Sequence, residues 1–299
     1  MGSIYDMQIM DAPVLERALI AYAREFPLRK GKLRAIDRLW RAAAGGRGTA
    51  RLAHLRYGGL KMPCDLTEML QRQFYFFGTY FLEEQIIDCW TEAAKEAEVI
   101  VDVGANSGIY SLAALASQPN AVVHAFEPTP EIATRLRQTA HLNRLDNLIV
   151  HEVAVMSRSG QAILHRYRGD LGTNEGMNYI CGETGEAAGE RVQTICLDEF
   201  CRENRIARID LLKLDVQGNE YSVLKGAEGL VRLGNVGTVF MELNWANKTG
   251  AVCPATESVR LLTENGYRFT SSADYNNWRD AGNWLQGLSD VIARRLEVT

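Results

Sequence analysis

Four acids in this sequence stand at the carboxyl ends of short apolar runs, and their distance from glycines decides what they could do. Asp102 follows Val99-Ile100-Val101, and Val103 then leads into a Gly104-Ala105-Asn106-Ser107-Gly108 turn. Glu127 ends Ala121-Val122-Val123-His124-Ala125-Phe126, Asp215 ends Ile209-Asp210-Leu211-Leu212-Lys213-Leu214, and Glu242 ends Thr238-Val239-Phe240-Met241. Runs this short and this rich in Val, Ile and Leu read as buried parallel strands, and open sheets of such strands bind ligands at their carboxyl edge. An apolar strand, a glycine turn and a helix start make a cradle for a nucleotide-like ligand.

The spacing selects the ligand. A pyrophosphate-binding turn needs G-x-G-x-x-G, but here Asn106 replaces the second glycine and the next one comes a position early, at Gly108. A nicotinamide-dependent dehydrogenase is disfavoured on that ground. Asp102 suits an ammonium or another cation, and Glu127, nineteen positions after Gly108, suits a pair of ribose hydroxyls. S-adenosylmethionine (SAM) carries an amino group, a sulfonium and a ribose, and no phosphate. The bare alternative is an α/β domain with a glycine turn and no ligand.

These acids need a scaffold, and the chain in order supplies one. Pro13 to Phe26 reads as an amphipathic helix with Val14, Leu15, Ala18, Leu19 and Tyr22 at helical spacing. Leu33 to Ala44 reads as a second helix, with Leu33, Ile36, Leu39 and Trp40 on one side and Arg34, Asp37, Arg38 and Arg41 on the other. A hairpin is expected over 52–62, then a short helix. The aromatic cluster Phe74–Phe81 reads as core packing, or as placing Thr79 and Tyr80 near the ligand, because helix Leu82–Ala94 leads straight into the first strand. Helices follow the strands over 109–116 and 131–142, a third strand spans Leu148 to Val155, and strands are expected at 161–167 and 191–195. Gly169–Gly189 reads as a long loop. Helices 199–204 and 221–233 flank the Asp215 strand, and helix 255–265 with strands 267–270 and 291–296 closes the chain. Strands alternating with helices imply a mostly parallel sheet with helices on both faces. The expected division is a helical extension over 1–50 and an α/β domain over 51–299.

Composition bounds the class. At 46% hydrophobic residues the chain can build a full core, and no apolar run reaches the ~18 residues of a membrane span. The N-terminus lacks the basic start and apolar run of a signal peptide, and the six cysteines show no metal-ligand spacing, so buried thiols in the cytoplasm are expected. Between Arg24 and Lys61 eleven Lys and Arg face two acids, although the formal net charge is −4. That stretch reads as a solvated helical face or a surface for an anionic partner; with few aromatics interleaved, nucleic acid is not expected.

The chain resembles the FkbM-type SAM-dependent methyltransferases. The resemblance is carried by Val101-Asp102-Val103-Gly104-Ala105-Asn106-Ser107-Gly108, Phe126-Glu127-Pro128, Leu142-Asn143-Arg144-Leu145-Asp146-Asn147, Thr194-Ile195-Cys196-Leu197-Asp198 and Leu212-Lys213-Leu214-Asp215-Val216-Gln217-Gly218-Asn219-Glu220, continued by Lys225-Gly226-Ala227 and Met241-Glu242. Gln217 stands where the family usually has Glu, and Asn244 where His is common. The resemblance implies a Rossmann-like class I fold with a mostly parallel seven-stranded sheet. It also implies O-methylation of a hydroxyl on a sugar or a polyketide-like natural product, with a nitrogen or carboxylate acceptor and a non-catalytic SAM-binding scaffold as the competing readings.

On this reading SAM contacts fall to Tyr80, Asp102, Gly104, Asn106, Ser107, Gly108, Glu127, Pro128, Asn143, Ala154 and Asp215. Catalysis falls to Asp215, Glu242 and Asn244, which flank the acceptor hydroxyl as a base or as ligands of a divalent cation such as Mg²⁺. The alternative gives Asp215 to the cofactor alone and Glu242 to capping. The five histidines (54, 124, 141, 151, 165) read as structural. Trp245, Tyr275, Trp278 and Trp284 read as either a sugar-stacking surface or a hydrophobic lid. The partner is a small-molecule or glycan acceptor, and the N-terminal helices could pair two copies.

Overall fold

The computed structural model describes residues 14–44, 50–166, 168–169, 172–173, 178–181, 189–243, 254–285 and 288–295. The chain divides into two compact units, Met1–Glu84 and Gln85–Thr299.

In the first unit, helices α1 (Val14–Glu25) and α2 (Lys32–Ala44) precede an antiparallel hairpin, β1 (Ala50–His54) and β2 (Lys61–Asp65), and helix α3 (Met69–Phe77). The hairpin turns through Gly58 and Gly59, both at positive φ. The aromatic cluster is core: Phe74, Tyr75, Phe76, Phe77 and Phe81 are all buried. Helix α1 departs from its apolar pattern. It buries Glu16, Leu19 and Ala23 and leaves Val14 83% exposed. Glu16 can be buried because Arg51 donates to both of its oxygens at 2.9 Å and the Tyr75 hydroxyl donates at 2.7 Å. Much of the basic stretch is spent inside this unit. Arg24 donates to the carbonyls of His54, Tyr75 and Phe76, Lys32 to those of Ala23 and Phe26, and Arg29 and Arg56 both pair with Glu84.

The second unit opens with helix α4 (Glu84–Ala94), strand β3 (Val99–Val103), helix α5 (Ile109–Ser117), β4 (Val122–Phe126), α6 (Pro130–Leu142) and β5 (Leu148–His151). Short strands follow: β6 (Ala154–Val155), β7 (Gly160–His165), β8 (Arg168–Gly169), β9 (Gly172–Thr173), β10 (Tyr179–Cys181) and β11 (Glu190–Ile195). The chain returns through α7 (Leu197–Glu203), β12 (Ile209–Leu214), α8 (Glu220–Gly226), α9 (Glu228–Leu233), β13 (Val236–Glu242), α10 (Pro254–Glu264), β14 (Tyr267–Thr270) and β15 (Asp290–Arg295). The main sheet has seven strands in the order β14-β15-β13-β12-β3-β4-β5. The five strands from β13 to β5 are parallel, while β15 runs antiparallel to both of its neighbours. This is the Rossmann-like class I arrangement, with an antiparallel pair of strands at one side.

Strand order reverses at β3, which has β4 on one side and β12 on the other; that is the switch point where an open sheet leaves a crevice at its carboxyl edge. Both faces are filled there: Ile100, Val101, Val103, Leu211, Leu212 and Leu214 are essentially inaccessible. Two expected elements differ. The strand over 148–155 breaks after His151, because Ala154 and Val155 leave the main sheet to pair with Thr194 and Ile195 in a separate four-stranded sheet. The helix over 221–233 is two helices parted at Ala227, where Asp198 accepts from the Gly229 and Leu230 amides at 2.8 and 2.9 Å and caps the second one.

Candidate active site

The glycine turn is shaped by its neighbours. Gly104, Asn106 and Gly108 all take positive φ, at 79°, 48° and 82°. Asn tolerates that region better than other residues with a Cβ, so the missing second glycine costs the turn little. A Cβ on Gly104 would lie 2.0 Å from the Asp215 carbonyl oxygen. Glycine there is what lets the two strand ends close up. Gly108 starts α5, and a Cβ on it would lie 2.2 Å from Leu136.

Glu127 is buried beside this turn. One of its oxygens accepts from the Asn106 amide at 3.1 Å and the other from the Thr129 amide at 2.8 Å. Pro128, half-buried, and Thr129 carry the chain from there into α6. Ser107 donates to the Asn106 side chain at 2.9 Å.

Asp102 is engaged within the fold. Its Oδ2 accepts from the Ser111 amide at 3.1 Å and the Ser111 hydroxyl at 2.6 Å, in the first turn of α5. Burial pushes its carboxyl up to about 6, against the pull of the Ser111 hydroxyl and of Lys213. Lys213 sits opposite it in the β12–β3 register and is itself buried. The Lys213 ammonium lies 4.6 Å over the Tyr110 ring and 3.6 Å from Asp215 Oδ2.

Asp215 and Glu242 come together at the adjacent strand ends through a residue between them. The Gln217 side-chain amide donates to Asp215 Oδ1 at 3.1 Å and to Glu242 Oε2 at 3.3 Å. Gln217 holds a positive φ of 53°, and the turn carrying it is fixed from behind by buried Glu220, whose Oε1 accepts from the Val216 and Gly218 amides at 3.2 and 3.1 Å. Burial, then the charges of Asp215 and Glu220, push the Glu242 carboxyl up to about 7. Such a group exchanges a proton near neutrality, as a general base must.

One expected residue, Asn143, lies away from this edge. Asn143 ends α6 as its C-cap, its side chain donating to the Thr139 carbonyl at 2.8 Å; α6 runs back from the carboxyl end of β4 toward the start of β5, so Asn143 lies at the opposite edge. Ala154 is buried in the four-stranded sheet. Tyr80 belongs to the first unit, edge-on to Phe74 with ring centroids 6.5 Å apart. Asn244 and Trp245 lie outside the described residues. Trp278 and Trp284 each carry an arginine over the ring, Arg294 at 5.1 Å and Arg279 at 4.0 Å. His124 and His151 meet at 3.1 Å beside Phe126 and Phe200, and burial lowers both, His151 to about 4. Lys213 and the bridging role of Gln217 were not anticipated from sequence; a lysine inside an otherwise apolar strand was the available signal.

Asp215 and Glu242, the described members of the expected ligand set, do not fit a divalent cation as they stand. Among the described residues no three His, Cys, Asp or Glu side chains gather. The decisive point is chemical: a cation bridging Asp215 Oδ1 and Glu242 Oε2 would need the position that the Gln217 NH₂ group holds. A sulfonium ligand suits the same edge, where several carboxylates surround one ammonium.

A family model for the methyltransferase FkbM domain matches residues 102–269, more than half of the chain. The chain belongs to the FkbM methyltransferase family. Curated relatives include 2-O-methyltransferase NoeI of Sinorhizobium fredii, 32% identical over 45% of this chain and 59% of its own length. The 31-O-demethyl-FK506 methyltransferase FkbM of Streptomyces tacrolimicus is 32% identical over 45% and 61%. Hexuronic acid methyltransferase AglP of Haloferax volcanii is 27% identical over 61% and 71%. The chain thus spans about three-fifths of the length of the first two relatives.

Proposed function

We propose that this protein is a SAM-dependent O-methyltransferase acting on a hydroxyl of a sugar or of a glycosylated or polyketide-type natural product. The observation that carries the reading is the pair Asp215 and Glu242 at the carboxyl edge, one turn from the Gly104–Gly108 cradle, with Glu242 held near neutral pH. The names of the relatives, a 2-O-methyltransferase, an O-demethyl macrolide methyltransferase and a hexuronic acid methyltransferase, support a hydroxyl-rich acceptor.

SAM when bound supplies an electrophilic methyl group, which an acceptor oxygen takes in line as the carbon–sulfur bond breaks and its electron pair stays on sulfur. The chain's part is to orient and to manage one proton. On this reading the turn from Gly104 to Gly108 would let backbone approach the cofactor, and Glu127 would accept from the ribose hydroxyls. Asp215 contributes negative charge toward the sulfonium and anchors Gln217. Glu242 accepts the acceptor's hydroxyl proton, and its raised basicity lets it do so without a metal step. Proton transfer of this kind is worth roughly 10²–10⁴ in rate.

Calorimetric titration with SAM, and separately with NAD, tests the reading. Micromolar SAM binding with no NAD response is expected, followed by acceptor-dependent formation of S-adenosylhomocysteine in a screen of hydroxylated sugars and macrolides. No SAM binding overturns the reading; SAM binding with no turnover on any hydroxylated acceptor leaves the scaffold reading in its place.

A further inference from the structure

We infer that Gln217 stands in for a divalent cation at the acceptor edge, bridging Asp215 and Glu242 with the two N–H bonds of one neutral amide. The inference rests on Asp215 and Glu242 being the acids of the proposed methyltransferase. Two carboxylates sharing a site repel, and the repulsion can be relieved by a shared proton, a cation or hydrogen-bond donors. Gln217 Nε2 reaches one oxygen of each acid, at 3.1 and 3.3 Å. The amide orientation is set by its surroundings: with the group reversed, its carbonyl oxygen would face two anions, while the NH₂ group meets an acceptor on each side.

The backbone is built to hold this bridge. Gln217 keeps a positive φ, an unfavourable conformation for a residue with a long side chain, and Gly218 after it is at 98°. Buried Glu220 binds the amides on both sides of the turn, and Asn219 donates to the Ile180 carbonyl of β10 at 3.1 Å. The turn is thereby tied to α8 below and to the four-stranded sheet beside it, so Gln217 is a positioning residue held in one place rather than a surface glutamine.

The two bridges differ in consequence. A cation coordinated by Glu242 would compete with the proton for the same oxygens and weaken the acid as a base. A neutral amide occupies one lone pair and leaves the others basic. Replacing the amide by a carboxylate, Gln217→Glu, would put three carboxylates at the same point and turn the bridge into an oxygen ligand set suited to Mg²⁺ or Mn²⁺.

The test is a Mn²⁺ titration of the full-length protein followed by electron paramagnetic resonance of free Mn²⁺, without SAM or acceptor, together with S-adenosylhomocysteine formation in EDTA and in Mg²⁺. Wild-type protein is expected to bind no stoichiometric Mn²⁺ below about 1 mM, and Gln217→Glu to bind one Mn²⁺ at least about tenfold more tightly. Wild-type turnover is expected to be the same in EDTA and in Mg²⁺. One Mn²⁺ bound per wild-type chain at micromolar concentration, or wild-type turnover abolished by EDTA and restored by Mg²⁺, overturns the inference. A folded Gln217→Glu variant with no gain in Mn²⁺ binding also counts against it, because the three side chains then do not converge. Should that variant fail to fold, the wild-type titration still decides. Failure of SAM to bind would defeat the methyltransferase reading instead, and the Mn²⁺ result is read independently of it.

Discussion

The two acidic sites on either side of β3 use the same residue type to opposite ends. At the glycine turn, Glu127 and Asp102 take partners from the segments that follow β3 and β4: Asn106, Thr129 and Ser111 supply four hydrogen bonds, three from backbone amides. At the strand ends beyond β12, Asp215 and Glu242 share one side-chain amide, and nearby Lys213 sits closer to Asp215. Backbone donors fix a carboxylate's geometry; a single neutral donor shared by two acids leaves one of them, Glu242, with its carboxyl raised by burial to about 7. On the proposed reading the first site holds a shape and the second takes a proton. Substitutions should separate accordingly, the first site affecting SAM affinity and the second turnover.

The largest separation is expected from Glu242→Gln. It keeps size and removes the proton acceptor, so kcat should fall roughly 10²–10³-fold while the SAM dissociation constant from calorimetry stays within about twofold. The wild-type kcat should climb as pH rises through about 7, following loss of the Glu242 proton, and the variant should lose that climb. A variant that weakens SAM binding instead would move Glu242 to the cofactor side.

Gly104→Ala should act in the opposite sense. Its Cβ would meet the Asp215 carbonyl at 2.0 Å at a φ of 79°, so the turn has to open. Strain of that kind costs on the order of 3 kcal/mol, about a hundredfold in SAM affinity together with a lower thermal midpoint. Unchanged affinity would mean that the turn does not form the cradle.

The parts of this arrangement set by local sequence were legible in it. Val99 to Val103 is short, apolar but for Asp102 and followed by Gly104 and Gly108, and it forms the strand and glycine turn expected, the turn in left-handed backbone. The acids at 127, 215 and 242 lie at or just beyond strand ends because each apolar run stops there. Partnerships made between elements were not legible. Asp102 was expected to face an ammonium group, but Ser111, nine residues on and in a different element, takes up one of its oxygens. Gln217 was read as a departure from a family pattern, whereas its reach across to Glu242, twenty-five positions away, depends on the β12–β13 pairing. Helix α1 leaves Val14, Leu15 and Ala18 exposed and buries Glu16 beside Leu19 and Ala23, because Arg51 and Tyr75, distant in sequence, supply Glu16 with donors. Periodicity records which residues are apolar; it does not record which buried polar group finds a partner.

Asp102 offers a thermodynamic version of the comparison. Burial raises its carboxyl from 3.8 to about 6 in the folded chain, so between those values the folded state binds more protons than the unfolded one. Stability then falls as pH rises from about 4 to about 6, by up to about 2–3 kcal/mol, and is flat above that for this group. Asp102→Asn should flatten the decline over that window in urea titrations at stepped pH, while a decline from Glu242 toward pH 7 persists. Equal slopes in wild type and variant would show that Asp102 is ionised in the folded protein well below pH 6.

The finest distinction comes from Glu127→Gln. The substitution keeps one oxygen to accept from a backbone amide but removes the charge and the second acceptor, which the Asn106 and Thr129 amides now occupy as a pair. A hydroxyl bound to a neutral amide in place of a carboxylate loses roughly 1.5 kcal/mol, so SAM affinity should weaken about tenfold. With Glu127 acting on the ribose alone, kcat at saturating SAM should be unchanged, and the loss should appear wholly in the KM for SAM. The informative outcome is the reverse one, a fall in kcat at saturating SAM. It would mean that the glycine turn is felt in the transition state as well as in binding, and that holding a shape and taking a proton are not separable tasks in this fold.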